Sequence, residues 1–322
     1  MTRRPLVAFS ELVIALVVGC ACVAARGTDI AVRDMAPPGL ARVDVLVFAP
    51  HPDDEVIGTG GVIQQAAAKG ERVRIVFVTN GDGYPRAASV LTGKPISGLR
   101  SADYIELAAT RQREAIAAAT LLGVGLSGLV FLGYPDGVLG QVYTSASGAP
   151  ARSPWTARSA TYGPLVIDYH TRAHGRPAAY EHVGVLADIE EVLRQSEPAR
   201  IYVTDQADLH PDHRATFNLV RDAIAGTGST AQLLTYDVHG GEYWPWPPGP
   251  TPSEPLESHV VDGSTYPIGA QWPPPISVTL TEHESTLKLR AMAAHRSQWN
   301  VDRAYLESFV KSDEVFWTVA PR

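Results

Sequence analysis
One stretch, residues 43–55, constrains this chain more than any other: Val-Asp-Val-Leu-Val-Phe-Ala-Pro-His-Pro-Asp-Asp-Glu. Val45, Leu46, Val47, Phe48 and Ala49 form an unbroken apolar run, the pattern of a strand buried on both faces of a parallel sheet. Pro50 ends the run, and His51, Asp53, Asp54 and Glu55 follow at once. A helical pattern through Val56, Ile57, Val62 and Ile63 comes next. Ionisable groups at the carboxyl end of a buried strand, just before a helix, sit where open α/β sheets place their ligands. A His and an Asp three apart on one turn can converge on one ion, leaving the neighbouring Asp53 available as a base. Helix capping by Asp53 and Asp54 would account for one acid, not for a His and three acids together.

A second cluster lies far along the chain, in Asp208-Leu-His210-Pro-Asp212-His213. It too follows an apolar run (Ile201, Tyr202, Val203, Thr204) and precedes a helical pattern (Phe217, Leu219, Val220, Ile224). Two such strand-to-helix junctions can face each other across a crevice. Two histidines and one carboxylate leave positions open on an ion, the arrangement of catalytic rather than structural zinc, and one that also suits Fe²⁺. Within His210-x-x-His213, spacing alone leaves either histidine as the ligand.

Ala-Pro-His-Pro-Asp-Asp-Glu with Gly-Thr-Gly-Gly just after it, and the later His-Pro-Asp-His, resemble the PIG-L/LmbE family of metal-dependent N-acetylglucosaminyl deacetylases. Matching pieces recur at residues 78–83 and 132–137, at Arg111-Gln-Arg113-Glu114, and from Lys288 to His295, Ser297 and Gln298. The resemblance implies a Rossmann-like three-layer α/β fold with a mostly parallel sheet, helices on both faces and long active-site loops. It implies Zn²⁺ (or Fe²⁺) held by His51, Asp54 and His213, and Asp53 as general base. A protonated His210 would stabilise the oxyanion and Asp212 would orient or charge a nearby imidazole. Arg111 and Asp136 would hold sugar hydroxyls, although Arg111 has Glu114 as a rival partner along its helix. The implied reaction is removal of an N-acetyl group from an N-acetylglucosamine-containing substrate. Two alternatives stay open: an amidase for a larger acyl group on an amino-sugar conjugate, and a carbohydrate-binding relative without catalysis. The presence of Asp53 argues against the latter, because a binding module needs no base.

The remaining sequence sets address and scaffold. The 322 residues are 45% hydrophobic and 19% charged, enough for one α/β domain with a substantial core. A formal charge of −7 supplies no basic footprint, which excludes nucleic acid as a natural partner. Arg3 and Arg4 precede an apolar segment that runs from Leu12 to Ala25, a secretory layout too short for a comfortable membrane span. Val17-Val-Gly-Cys20 resembles a lipobox; the rivals are cleavage after Ala24 or Ala25, or a retained anchor. The expected organisation is therefore a lipoprotein-type signal peptide at 1–19, a tether at 20–41 and a single deacetylase domain at 42–322, exported and membrane-anchored. Cys20 and Cys22 are the only cysteines, so the domain has no disulfide and relies on burial.

From residue 43 the pattern alternates between the two periodicities, predicting strands at 43–49, 73–79, 128–132, 200–204 and 232–237. Helices are predicted at 55–69, 102–122, 183–196, 212–225 and 282–298. Gly58, Gly60 and Gly61 match neither standard nucleotide fingerprint and point to close packing of the first helix. Three long connections, 81–99, 137–181 and 239–275, interrupt the core. The aromatic and polar groups of the second suit a sugar-binding lid as well as an ordered surface loop. The tryptophans and prolines of the third suit a rigid flap or simple attachment to the body.

Overall fold
β1 (Val45–Ala49) forms where the sequence demands it, every residue buried. The computed structural model describes residues 40–145 and 149–320. The expected signal peptide, the two cysteines and nearly all of the expected tether lie outside the described residues. β1 pairs in parallel with β2 (Val73–Thr79) on one side and with β4 (Arg200–Thr204) on the other. β3 (Leu129–Tyr134) extends the sheet beyond β2, and β5 (Gln232–Tyr236) extends it beyond β4. Two antiparallel strands, β9 (Asp313–Thr318) and then β8 (Ile276–Thr279), complete the order β3-β2-β1-β4-β5-β9-β8. The sheet is thus mostly parallel, as expected; the antiparallel edge was not read from the sequence. β8 alternates half-buried and exposed residues, a weak signal in a loop-rich region.

Helices cover both faces. Leu46, Phe48, Val76, Val78, Val130 and Leu132 present one set of alternating positions to a shared core with α6 (His182–Ser196) and α7 (Pro211–Thr227). The other face carries α1 (Asp54–Ala68), α3 (Ser101–Leu121) and α8 (Glu282–Ala294). α1 lies so close to the sheet that a Cβ on Gly58 would come within 2.1 Å of the Tyr236 ring, and one on Gly61 within 2.3 Å of Leu280. Close packing is therefore what these glycines permit.

The predicted helix at 282–298 is two helices. The backbone leaves helical geometry at His295, whose side chain turns inward onto Glu55, and α9 (Arg296–Glu307) continues at a new angle. The long connections hold short elements: α2 (Pro85–Thr92), α4 (Leu139–Thr144), α5 (Tyr169–His174) and the hairpin β6 (His259–Val261)–β7 (Ser264–Tyr266). Among the described residues no helix is long and apolar enough to cross a membrane.

Topology decides where a ligand can sit. The chain runs from β1 outward through β2 and β3, then returns to start again at β4 beside β1. The loops after β1 and β4 therefore leave neighbouring strands in opposite directions and open a crevice at their carboxyl ends. Both conspicuous clusters lie on those loops.

Candidate metal centre
At that crevice His51 Nδ1, Asp54 Oδ2 and His213 Nε2 form a nearly equilateral triangle. Their separations are 3.2 Å (His51–Asp54), 3.2 Å (His51–His213) and 3.3 Å (Asp54–His213). An ion bound tetrahedrally at 2.0–2.1 Å spaces its ligand atoms by about 3.3–3.4 Å. The three donors thus fit a zinc-sized ion with little adjustment, and one face of the tetrahedron is left for water or substrate.

Each imidazole is backed by a carboxylate. His51 Nε2 lies 2.9 Å from Asp136 Oδ1, and His213 Nδ1 lies 2.9 Å from Asp208 Oδ2. This fixes which nitrogen faces the triangle and raises its basicity, the arrangement typical of metal-ligating histidines. The field is strongly negative. Burial opposes a charged His213, yet Asp208 and Asp54 raise its pKa to about 10. Burial likewise opposes charge on His51, and Asp136, Asp212 and Asp54 outweigh it. Asp54 is held well below the usual carboxylate range, despite its burial, by His213 and His51. A site that pulls protons onto two buried imidazoles is one that a divalent cation would neutralise.

Asp53 stands beside the triangle and outside it. Its Oδ1 accepts from Arg111 Nη2 at 2.9 Å, and its pKa is raised to about 6, by burial first, against the pull of Arg111. Its backbone has φ 140°, a conformation that costs a non-glycine residue about 1–3 kcal/mol. Glu55 Oε2 accepts the Asp53 N–H at 2.8 Å, while Glu55 Oε1 lies 2.9 Å from His295 Nε2. Arg111 adds bonds to the carbonyls of Pro52 and Gly81. The strained base is held from three sides.

With this geometry in place, the comparisons are specific. The family described as PIG-L, GlcNAc-PI de-N-acetylase, matches residues 46–224, more than half the chain. The chain belongs to the PIG-L family. A 1D-myo-inositol 2-acetamido-2-deoxy-α-D-glucopyranoside deacetylase of Corynebacterium diphtheriae is 26% identical over 267 residues, spanning 78% of this chain and 75% of that protein. The N,N'-diacetylchitobiose deacetylase of Pyrococcus horikoshii has a similar fold, with a TM-score of 0.52, 21% identity and coverage of 91% and 89% of the two chains. The antimicrobial reagent A40926 pseudoaglycone deacetylase aligns with a TM-score of 0.53, 18% identity and coverage of 87% and 98%. At these identities the two structural likenesses carry the fold.

Within this PIG-L domain Arg111, Asp136 and His210 all line the cleft, and each expected residue has specific partners. Asp136 lines the cleft, but Oδ1 faces His51 and Oδ2 accepts from Gly83 N at 2.9 Å. Arg111 is turned onto Asp53 and not onto Glu114, which instead accepts from Ser297 N and Oγ. Asp212 accepts the N–H groups of Gly137 and Gly140, which anchors the loop after β3, and from 3.8 Å it also helps to raise the pKa of His51. The expected protonated His210 is corrected. Burial and the neighbouring imidazoles His51, His213 and His239 push its pKa down to about 2. Its Nδ1 accepts the Asp212 N–H at 3.2 Å, so the neutral ring carries its proton on Nε2. His210 is a neutral donor.

Other residues of the site escaped the sequence. Asp208, fully buried, accepts from His213 and from the backbone N–H groups of His210, Val238 and His239. Its place in the motif was visible, but its part in orienting His213 was not. α9 supplies Gln298, Asp302, Tyr305 and Leu306 to the cleft wall, opposite Tyr84 and His239. Asp302 leaves helical geometry there (φ −125°, ψ 29°) and accepts from the Tyr84 hydroxyl. Of the long connections, 81–99 contributes Gly83 and Tyr84, 239–275 contributes His239, and 137–181 contributes no lining residue. Trp155 packs against Tyr104 and over Gly83 and Gly137, and Trp244 is buried with its Nε1–H on the Asp237 carbonyl. These tryptophans attach their loops to the body.

Proposed function
We propose that this protein is a zinc-dependent N-deacetylase that hydrolyses the acetamide of an N-acetylglucosamine unit. The observation that carries the reading is the buried His51–Asp54–His213 triangle with Asp53, a carboxyl of pKa about 6, beside it. When bound, a divalent ion supplies Lewis acidity toward water and toward a carbonyl oxygen. The chain does the rest. Asp53 takes the proton of the attacking water on its oxygen not held by Arg111, and Arg111 keeps the carboxylate aimed. The Nε2–H of His210 donates toward the carbonyl oxygen as it gains negative charge. The proton on Asp53 then passes to the amine as the C–N bond breaks, leaving acetate and the free amino sugar.

The cleft of about 290 Å³ supports a short acyl group over a long one, since it lies at the lower limit for small-molecule sites. Tyr84, Gln298 and Asp302 offer hydroxyl, amide and carboxylate partners for sugar hydroxyls in its wall. The deacetylase activities named for the Corynebacterium and Pyrococcus relatives support an amino-sugar substrate. Acetate release from a panel of N-acetylated sugars, glycolipids and oligosaccharides, in added Zn²⁺, tests the proposal. Release confined to longer acyl groups, or none from metal-loaded protein, overturns it. The basic start and the Val-Val-Gly-Cys20 segment support export with lipidation at Cys20 as the protein's location. Cys20→Ala should shift the protein to the soluble fraction or leave a precursor; a native mature amino terminus beyond Ala24 would refute lipidation.

A further inference from the structure
α5 sits in the 137–181 connection, away from the cleft, and carries His170 and His174 one helical turn apart. Their rings face each other with centroids 4.4 Å apart. α6 runs beside them and presents Asp188 and Glu191, also one turn apart. His170 Nδ1 is 2.6 Å from Asp188 Oδ1, and His174 Nε2 is 2.9 Å from Glu191 Oε2. One donor atom from each of His170, His174 and Asp188 lies within 4.8 Å of the other two.

Two separate His–carboxylate hydrogen bonds would explain the two short distances. They would not require the two imidazoles to meet, nor Asp188 to be so firmly aimed. Asp188 is buried, and its second oxygen accepts the Tyr134 hydroxyl at 2.6 Å, which turns Oδ1 toward His170. A carboxylate oriented from behind by a buried hydroxyl is how proteins fix a metal ligand. The His170 side chain is 18% exposed and that of His174 is 41% exposed, so solution has access and water can complete a coordination shell.

We propose that His170, His174, Asp188 and Glu191 form a second divalent-cation site, selective for zinc-like ions, that ties α5 to α6. Two imidazoles with carboxylates suit Zn²⁺ over Ca²⁺ or Mg²⁺, which prefer oxygen ligands alone. The ion takes the place of the protons now shared with the carboxylates, and the His170–Asp188 pair opens to roughly 3 Å to admit it. The site stabilises the connection that follows Asp136 without touching the catalytic triangle. Tyr134, which holds Asp188 from behind, lies on the strand that leads to Asp136.

Calorimetric titration of chelator-stripped full-length protein with Zn²⁺ alone, backed by elemental analysis, tests this. Two ions per chain are expected. His174→Gln, on an exposed side chain, should weaken one of them about tenfold or more and leave the other intact. Asp54→Asn should do the reverse, and in that variant Zn²⁺ should still raise the unfolding midpoint until His174→Gln is added. A single ion per chain lost with Asp54→Asn, or a second ion bound equally well by His174→Gln, overturns the proposal.

Discussion

Asp136→Asn separates two roles for one carboxylate. In the structure Asp136 meets two groups: His51 Nε2 lies 2.9 Å from Oδ1 as a charge pair, and the Gly83 N–H donates to Oδ2. An asparagine has one acceptor oxygen. If that oxygen stays on His51, the amide NH₂ opposes the Gly83 N–H. If it turns to Gly83, the NH₂ faces His51 and drives the imidazole proton to Nδ1, the atom that points into the triangle. Either outcome, together with loss of a negative charge beside the centre, weakens metal binding. Removing the partner of a ligating histidine costs about 10–100-fold in affinity, or roughly 1.4–2.7 kcal/mol. Zn²⁺ affinity measured by competition with a chromophoric chelator should fall in that range. At saturating Zn²⁺ KM for the N-acetylated sugar should change little. The sugar-hydroxyl role implied by the resemblance requires the opposite split, with KM raised and metal affinity kept. Metal affinity within twofold of the unmodified protein, with a raised KM, would refute the His51-orienting argument.

Asp53→Asn should keep its metal and lose about 10²–10⁴-fold in turnover at saturating Zn²⁺, the contribution of a positioned base; near-normal acetate release would remove Asp53 from that role. The acidic limb of the kcat/KM profile should fall at or below about pH 6, because protonation of Asp53 removes the base and a nearby cation can only lower its pKa. Asp82 gives a stability prediction outside the triangle. Burial, aided by Asp136, raises its pKa to about 7, so between about pH 4 and 7 the folded state binds the proton that the unfolded chain releases. Stability therefore declines as pH rises through that window, by up to about 4 kcal/mol at 1.36 kcal/mol per unit. Denaturant midpoints across the window should show the decline, and Asp82→Asn should flatten it.

The sequence by itself determined the elements and the chemistry they carry. β1, β2, β4, β5 and the helices α1, α3, α6 and α7 follow from local apolar periodicity, and they lie within about two residues of expectation. The junction motifs marked His51, Asp53, Asp54 and the His210–His213 pair because a strand must end before a helix begins and ionisable groups gather in that interval. The family resemblance, not the spacing, singled out His213. What the tertiary structure decided is who faces whom. β4 docks beside β1 across a topological reversal, which brings His213 to 3.2 Å from His51, 162 positions away in the chain. Asp136 becomes the partner of His51, and Arg111 the partner of Asp53, through approaches that no local pattern records. His210 loses its charge because burial and three imidazoles surround it, two of them (His51 and His239) from other segments. α9 enters the cleft because His295 breaks the helix to reach Glu55, 240 residues away. Periodicity is a property of neighbours in the chain; protonation state and hydrogen-bond partner are set by neighbours in space, and folding alone supplies them.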